Sequence, residues 1–224
     1  MDDNRTKRNK NMPNDFVSSW TKENKVPTSR TIADTLHPVP LKDRITQTIF
    51  RLNMVQRKLE DSHLRIEQKH KSMFSKCVQA QETKNTQIAV MYANECAQVR
   101  KIAQTIITSK LALEQVVLRL ETVKDFGDIA AELMPVAAVI RSVKGRLAGV
   151  IPEVSMHLGS ISQTLDSLVL EVGEATGQTW NAMVSGEDAD KILSEASMIA
   201  EQKVREGFPE LPGTPAIGEE VKPT

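Results

Sequence analysis

The chain has 224 residues, of which 40% are hydrophobic but only 4% aromatic, and its acidic and basic residues balance to zero net charge. So few aromatic side chains are poor for a compact globule and more typical of extended helices that bury leucine, isoleucine and alanine. No stretch approaches 18 uncharged apolar residues, so the sequence predicts no transmembrane helix, and the polar start is not a secretory signal.

The first 40 residues are rich in Asn, Thr, Ser, Lys and Pro, and residues 1–40 are therefore predicted to form a mostly disordered N-terminal arm. Within this arm, Phe16, Val17 and Trp20 would share one face of a short helix. That face is either a scattered apolar cluster, which is the preferred interpretation, or a small membrane-inserting anchor.

Residues 41–126 contain neither glycine nor proline and carry two apolar stripes with a seven-residue spacing. The first stripe is Ile45, Leu52, Leu59, Ile66 and Met73, and the second is Tyr92, Val99, Ile106, Leu113 and Leu120. A polar segment, residues 81–87, separates them. The pattern predicts a long antiparallel helical hairpin with its tip near Glu82–Asn85, and a parallel dimeric coiled coil is the competing interpretation.

Two shorter helices, the third and fourth, are predicted within residues 128–172, which completes a helical core over residues 41–172. Gly127 is a suitable stop for the second helix, and Pro135 is predicted to lie in the first turn of the third. The fourth helix begins at "PEVS" and has one apolar face, formed by Val154, Leu158, Ile161, Leu165, Leu168 and Val172. The fold class is therefore all-α.

The remainder of the chain is predicted to contain a linker, residues 173–186, and an acidic fifth helix, residues 187–207. Ser185 and Asp188 have the spacing of a capping box, and Gly207 is a suitable helix end. A proline-rich tail follows over residues 208–224. Its first prolines recur every three residues, which is the repeat of a polyproline II helix.

No motif predicts an enzyme. The sequence lacks a phosphate-binding loop, a nucleophile elbow and an HExxH motif, and Cys77 and Cys96 form no CxxC pair. Both cysteines are predicted to be small core residues in a reduced intracellular compartment. Glu67 and His70 have the Glu-x-x-His spacing of helical di-iron sites, but no second pair accompanies them, so a solvated polar face is preferred. We expect no catalytic residue, metal site or cofactor.

The charge is unevenly distributed: 7 basic and 5 acidic residues lie in 1–40, 13 and 6 in 41–110, and 9 and 18 in 111–224. The basic residues of the first helix could simply keep it soluble or could bind an anionic membrane. DNA is less favoured, because no aromatic stacking platform accompanies the charge. The predicted membrane-binding residues are Lys42, Arg44, Arg51, Arg57, Lys58, Arg65, Lys69 and Lys71.

The order of these elements resembles that of ESCRT-III membrane-remodelling proteins. The stretches "AVMYANECAQVRKIAQ", "MPVAAVIRSVKGRL", "PEVSMHLGSISQTLDSLVLEVGE" and "ADKILSEASMIAEQKVREGFPELP" are similar to the archaeal cell-division branch, CdvB and its paralogues. The resemblance covers about residues 41–215. It implies a cytoplasmic protein, peripheral to the membrane at the division site, whose filaments drive constriction and scission.

The resemblance also implies partners: the chain itself and its paralogues, the MIT domain of a CdvC-like AAA ATPase that disassembles the filaments, and a CdvA-like recruiter. Nucleic acid is not expected. The tail residues expected to lie in the MIT groove are Phe208, Pro209, Leu211, Pro212 and Pro215. Some members bind CdvA through a winged-helix module after the tail. The sequence up to Thr224 predicts no such module, so the resemblance does not supply that mode of recruitment.

The charge split predicts autoinhibition, in which acidic residues near the fifth helix mask the basic hairpin. The residues assigned to this role are Glu187, Asp188, Asp190, Glu195, Glu201 and Glu206. Two functions of other classes remain open at this stage: a coiled-coil scaffold or adaptor that recruits one partner through its tail, and a DNA-organising helical protein.

Overall fold

A computed structural model describes residues 40–126, 129–176 and 182–209. The chain divides after Pro40, and the helices belong to the second unit, Leu41–Thr224. All regular secondary structure in the described ranges is α-helical, which confirms the predicted fold class. The helices are α1 (Leu41–Glu82), α2 (Thr86–Phe126), α3 (Ile129–Leu147), α4 (Pro152–Thr176) and α5 (Ala182–Gly207).

Helices α1 and α2 form the predicted antiparallel hairpin, and a three-residue turn joins them. Lys84 has a positive φ of 58°, which reverses the chain after α1. The Asn85 N–H then donates to the Ala80 carbonyl oxygen at 2.9 Å, and the Asn85 Oδ1 accepts from the Ile88 N–H at 3.4 Å. Asn85 therefore caps the start of α2, and the tip lies where the polar segment predicts it.

The two apolar stripes pack against each other along the open half of the hairpin. Ile45, Leu52 and Leu59 of α1 and Ile106, Leu113 and Leu120 of α2 are fully buried in one core. Small residues replace these large ones near the tip. Both cysteines are fully buried there, and the Cys77 Sγ donates to the Ala89 carbonyl oxygen at 3.4 Å. The prediction that the cysteines are core residues is confirmed.

Helices α3 and α4 pack on each other, α3 also on α2, and α4 on α1. The predicted apolar face of α4 is buried throughout, from Val154 to Val172. The prediction for Pro135 is wrong, because α3 begins at Ile129 and the proline lies inside the helix. A proline there removes one helical hydrogen bond. Leu133, Val136 and Ala137 beside it are buried in the core, and their burial offsets that loss.

Helix α5 starts earlier than the sequence predicts. It begins at Ala182, so Ser185 lies within the helix and the predicted capping box with Asp188 is wrong. The predicted end at Gly207 is confirmed. From Ala189 onward the helix packs on α2 and α3 through apolar residues at helical spacing. The buried residues are Ala189, Ile192, Leu193, Ala196, Ala200 and Val204.

Two leucines two positions apart test the register of α2. Leu120 is fully buried in the hairpin core, whereas Leu118 is 62% exposed. We expect Leu120→Ala to lower the free energy of unfolding by about 2–5 kcal/mol, because it leaves a cavity, and Leu118→Ala to change it by less than about 0.5 kcal/mol. Urea unfolding followed by circular dichroism measures both. Equal losses would contradict the register.

Candidate functional site: the hairpin surface and the seat of the C-terminal helix

The aromatic side chain of Phe208 packs the end of α5 against the hairpin. Phe208 directly follows the helix, its N–H donates to the Val204 carbonyl oxygen at 2.9 Å, and its side chain is only 1% exposed. It belongs to a small apolar cluster with Ala200 and Val204, separate from the main core. We call its binding surface on the hairpin the Phe208 seat, which consists of His63, Ile66, His70, Ala103 and Ile107.

Two imidazole rings of α1 lie against the Phe208 ring. The His70 ring meets it edge to face with 4.9 Å between ring centroids, and the His63 ring lies at 6.2 Å. The Phe74 ring stacks on the His70 ring, with 6.1 Å between the two ring centroids. The geometry of the His70–Phe208 pair is one that aromatic rings favour, so it orients as well as buries Phe208.

His70 is not part of a solvated polar face, and that sequence prediction is wrong for this residue. The docked helix end covers it, so that His70 is only 1% exposed, and its Nε2 has no hydrogen-bond partner among the described residues. Burial lowers the pKa of His70 below its ordinary value, and the positive charge of Arg100 on α2 lowers it further. Docking of α5 therefore favours the neutral form of His70.

The acidic residues assigned to autoinhibition lie on the solvent side of α5. Most of them are exposed, and the ion pairs seen among them join neighbours within the helix: Asp188 to Lys191 at 3.2 Å and Glu201 to Arg205 at 2.6 Å. Across to the hairpin, Glu195 Oε2 accepts from Gln115 Nε2 at 3.4 Å. Electrostatic masking of the hairpin stays a prediction.

The ion pairs and the apolar contacts of α5 differ in the free energy that they contribute. An exposed ion pair contributes about 0–1 kcal/mol, whereas burying one phenylalanine side chain contributes about 1.5–3 kcal/mol. One charge effect does cross from α5 to the hairpin. The pKa of Glu60 on α1 is lowered mainly by Lys110 and to a smaller extent by Lys203 of α5. The structure thus docks α5 on the hairpin mainly through apolar side chains.

The predicted membrane-binding residues of α1 divide into a first group of two that pair with α4 and a second group of six that remain exposed. Arg44, Arg51, Lys58 and Arg65 recur every seven residues and so share one side of the helix. Two of them bind α4: Arg44 pairs with Glu171, and Lys58 pairs with Glu153, whose pKa it lowers by hydrogen bonding. These two cations position α4 in this conformation.

The second group remains exposed on α1. Lys71 pairs within the helix with Glu67 at 2.7 Å, and in the described part of the chain no ion pair is seen for the others: Lys42, Arg51, Arg57, Arg65 and Lys69. Apolar side chains stand among these cations, since Phe50 is 66% exposed and Met54 and Leu64 are also exposed. The outer surface of α1 is thus both basic and apolar.

The tail residues predicted to bind a MIT domain are only partly described by the structure. Pro209 is exposed, but Leu211, Pro212 and Pro215 lie outside the described residues. No group of histidine, cysteine or carboxylate side chains that could hold a metal ion occurs in the ranges described.

The Phe208 seat was missed by the sequence interpretation, although a signal for it exists. Ile192, Ala196, Ala200, Val204 and Phe208 recur every four residues, so the apolar face of α5 continues past Gly207. Because the three-residue proline spacing begins at residue 209, Phe208 was assigned to the proline-rich tail and not to α5.

The chain is similar to curated proteins of Sulfolobus acidocaldarius. It is 42% identical to cell division protein B1 over 173 residues, which cover 77% of this chain and 81% of the relative. It is 33% identical to cell division protein B over 184 residues, covering 82% of this chain and 70% of that relative. Cell division protein B3 is 27% identical over 117 residues.

The chain belongs to the cell division protein B family, CdvB and its paralogues. No family model and no solved structure gives a significant match. Within its described helices, this cell division protein B paralogue has none that combines the length and the apolar character needed to cross a membrane.

Phe208 is expected to decide whether the end of α5 stays docked in this cell division protein B paralogue. Truncating a buried phenylalanine to alanine costs about 3–5 kcal/mol. In Phe208→Ala, we expect the amides of residues 196–207 to lose most of their protection from hydrogen exchange. Met198→Ala is the matched control, because Met198 is on the same helix but 63% exposed. Equal protection in both variants would show that Phe208 does not hold the helix.

Proposed function

We propose that this chain is a non-enzymatic, filament-forming protein of the ESCRT-III type that acts at the membrane in archaeal cell division. The relatives named cell division protein B1 and B support the cellular role. The observation that carries the molecular role is the long hairpin with a fifth helix, α5, folded back on it through an apolar face that ends on a small separate cluster around Phe208. In our proposal the docked form is the resting monomer, and release of α5 makes it competent to assemble.

The hairpin supplies a building block for a filament. Its first helix has 42 residues and its second 41, which gives a rod of about 60 Å at 1.5 Å per residue. Release of α5 would expose the apolar side chains of α2 and α3 that it covers, and a second copy could cover them in turn. Contacts between copies that do not close on themselves produce open filaments rather than rings of fixed size.

The outer surface of α1 is proposed to contact the membrane. Its exposed cations, among them Arg57 and Arg65, would bind anionic headgroups, at roughly 1 kcal/mol for each charge near the surface. The exposed Phe50, Met54 and Leu64 would add apolar contact with the interface. A single copy would bind weakly, but a filament would present many copies at once, so that curved filaments could constrict a membrane neck and drive scission.

The tail is proposed to bring in the disassembly machinery, an AAA ATPase of the CdvC type with a MIT domain. The three-residue spacing of Pro209, Pro212 and Pro215 supports an extended, preorganised ligand for a groove between helices. Because Phe208 is buried in its seat, a motif that includes Phe208 would be complete only after α5 is released. Paralogues as co-assembling partners and a CdvA-like recruiter complete the proposal.

Removal of α5 tests whether the hairpin assembles. We expect a truncation ending at Val184 to form filaments on anionic liposomes, seen by pelleting and negative-stain imaging, and the intact chain to do so less readily, because the released surface is then available. If neither form polymerises on any surface, the chain is better described as a coiled-coil scaffold that recruits one partner through its tail.

Matched charge reversals test the membrane surface in the same assay. Arg57→Glu with Arg65→Glu changes two exposed cations of α1, and Lys101→Glu with Arg146→Glu makes the same change in charge on α2 and α3. Loss of liposome binding is expected in the first pair alone. A similar loss in both pairs would assign binding to overall charge and not to α1.

A further inference from the structure

The Phe208 seat contains two titratable rings in a place where protonation has consequences for packing. His70 and His63 both touch Phe208. Each has a buried ring nitrogen that finds no hydrogen-bond partner within the described part of the chain, Nε2 in His70 and Nδ1 in His63. An aliphatic residue would fill the same space without this feature. The seat is therefore suited to respond to a proton.

We propose that the Phe208 seat is a proton-sensitive latch: uptake of a proton by His70 displaces Phe208 and releases the C-terminal half of α5 from the hairpin. The proposal concerns the folded monomer and does not depend on whether the chain forms filaments.

Protonation at this position introduces a buried positive charge. A protonated imidazole has N–H donors on both nitrogens, and in the docked form no described residue accepts a hydrogen bond from the Nε2 of His70. Undocking Phe208 uncovers the ring, so that water can solvate the charge and accept the hydrogen bond. The aromatic face of Phe208 could attract a cation, but burial and the neighbouring positive charge oppose it.

The charged groups around the seat favour a neutral His70. From α2, Arg100 acts on His70 and lowers its pKa, after the larger effect of burial. From α5, the charge of Lys203 acts on Glu60 of α1. The carboxylates of α1, Glu60 and Glu67, lie within the electrostatic reach of His63, and each is already bound to a lysine. They do not compensate a charge on His70.

The direction of the pH effect follows from linkage. The pKa of His70 is lowered in the docked form and returns towards its ordinary value of 6.5 when the ring is exposed. The undocked form therefore binds more protons, so docking is strongest above about pH 6.5 and weakens as the pH falls below it. For one proton, the ratio of undocked to docked chains rises up to tenfold for each pH unit, until the lowered pKa is reached.

Hydrogen exchange of the full-length monomer, without membrane, measures this ratio. Protection of residues 196–207 is followed from pH 5 to pH 8, relative to an unstructured chain at each pH, with residues 136–147 of α3 as the internal reference. We expect protection of the α5 segment to fall several-fold below pH 6.5 while the α3 segment changes little. Constant protection of α5 across this range would overturn the proposal.

Two variants separate His70 from the other titrating groups. His70→Phe keeps an aromatic ring but removes the proton site, and we expect its α5 protection to lose the pH dependence. His157→Gln removes an exposed histidine on α4 and should keep the wild-type response. A wild-type pH response in His70→Phe would also overturn the proposal.

A direct titration covers the case in which His70→Phe does not fold. The ring of His70 is followed by NMR in the unmodified chain and in Phe208→Ala. The pKa of His70 is expected to be lower in the unmodified chain, where Phe208 covers the ring. The same pKa in both proteins would show that docking of Phe208 and protonation of His70 are not coupled.

Discussion

The pairing of the two apolar stripes of α1 and α2 is the constraint on which the other contacts depend. It fixes the antiparallel register, and with it the side of each helix that faces α3, α4 and α5. Because the stripes occupy one side of each helix, the cations of α1 are left on its flanks. Two of those cations then hold α4, and the others stay in solvent.

The hairpin binds α4 and α5 by different physical means. Helix α4 has a fully apolar face and adds ion pairs to α1 near both of its ends, from Glu153 and Glu171. Helix α5 ends on a small separate cluster, in which a single phenylalanine lies against two histidines. A contact of that size can be released without unfolding the hairpin, and in our proposal the protonation of His70 makes its strength depend on pH.

The sequence predicts the hairpin well because α1 and α2 are long, lack glycine and proline, and repeat their apolar residues regularly. Local signals were less reliable in the short helices. Pro135 and Ser185 both indicated helix starts, but α3 begins at Ile129 and α5 at Ala182. For α3, burial of Leu133 and Val136 on either side of the proline offsets the lost hydrogen bond. His70 was misinterpreted because its burial comes from Phe208, more than 130 residues away in the sequence. No local pattern reports such a contact.

The central claim is that α5 must leave the hairpin before the chain assembles, and a reversible tether tests it most directly. Gln115 and Glu195 already touch across α2 and α5, so Gln115→Cys with Glu195→Cys can be joined by a short thiol cross-linker that a reductant cleaves. The native Cys77 and Cys96 are buried and their pKa values are raised by that burial, so they react poorly. We predict that the tethered chain does not form filaments on anionic liposomes and that cleavage restores them. Equal assembly of tethered and cleaved protein would contradict the account.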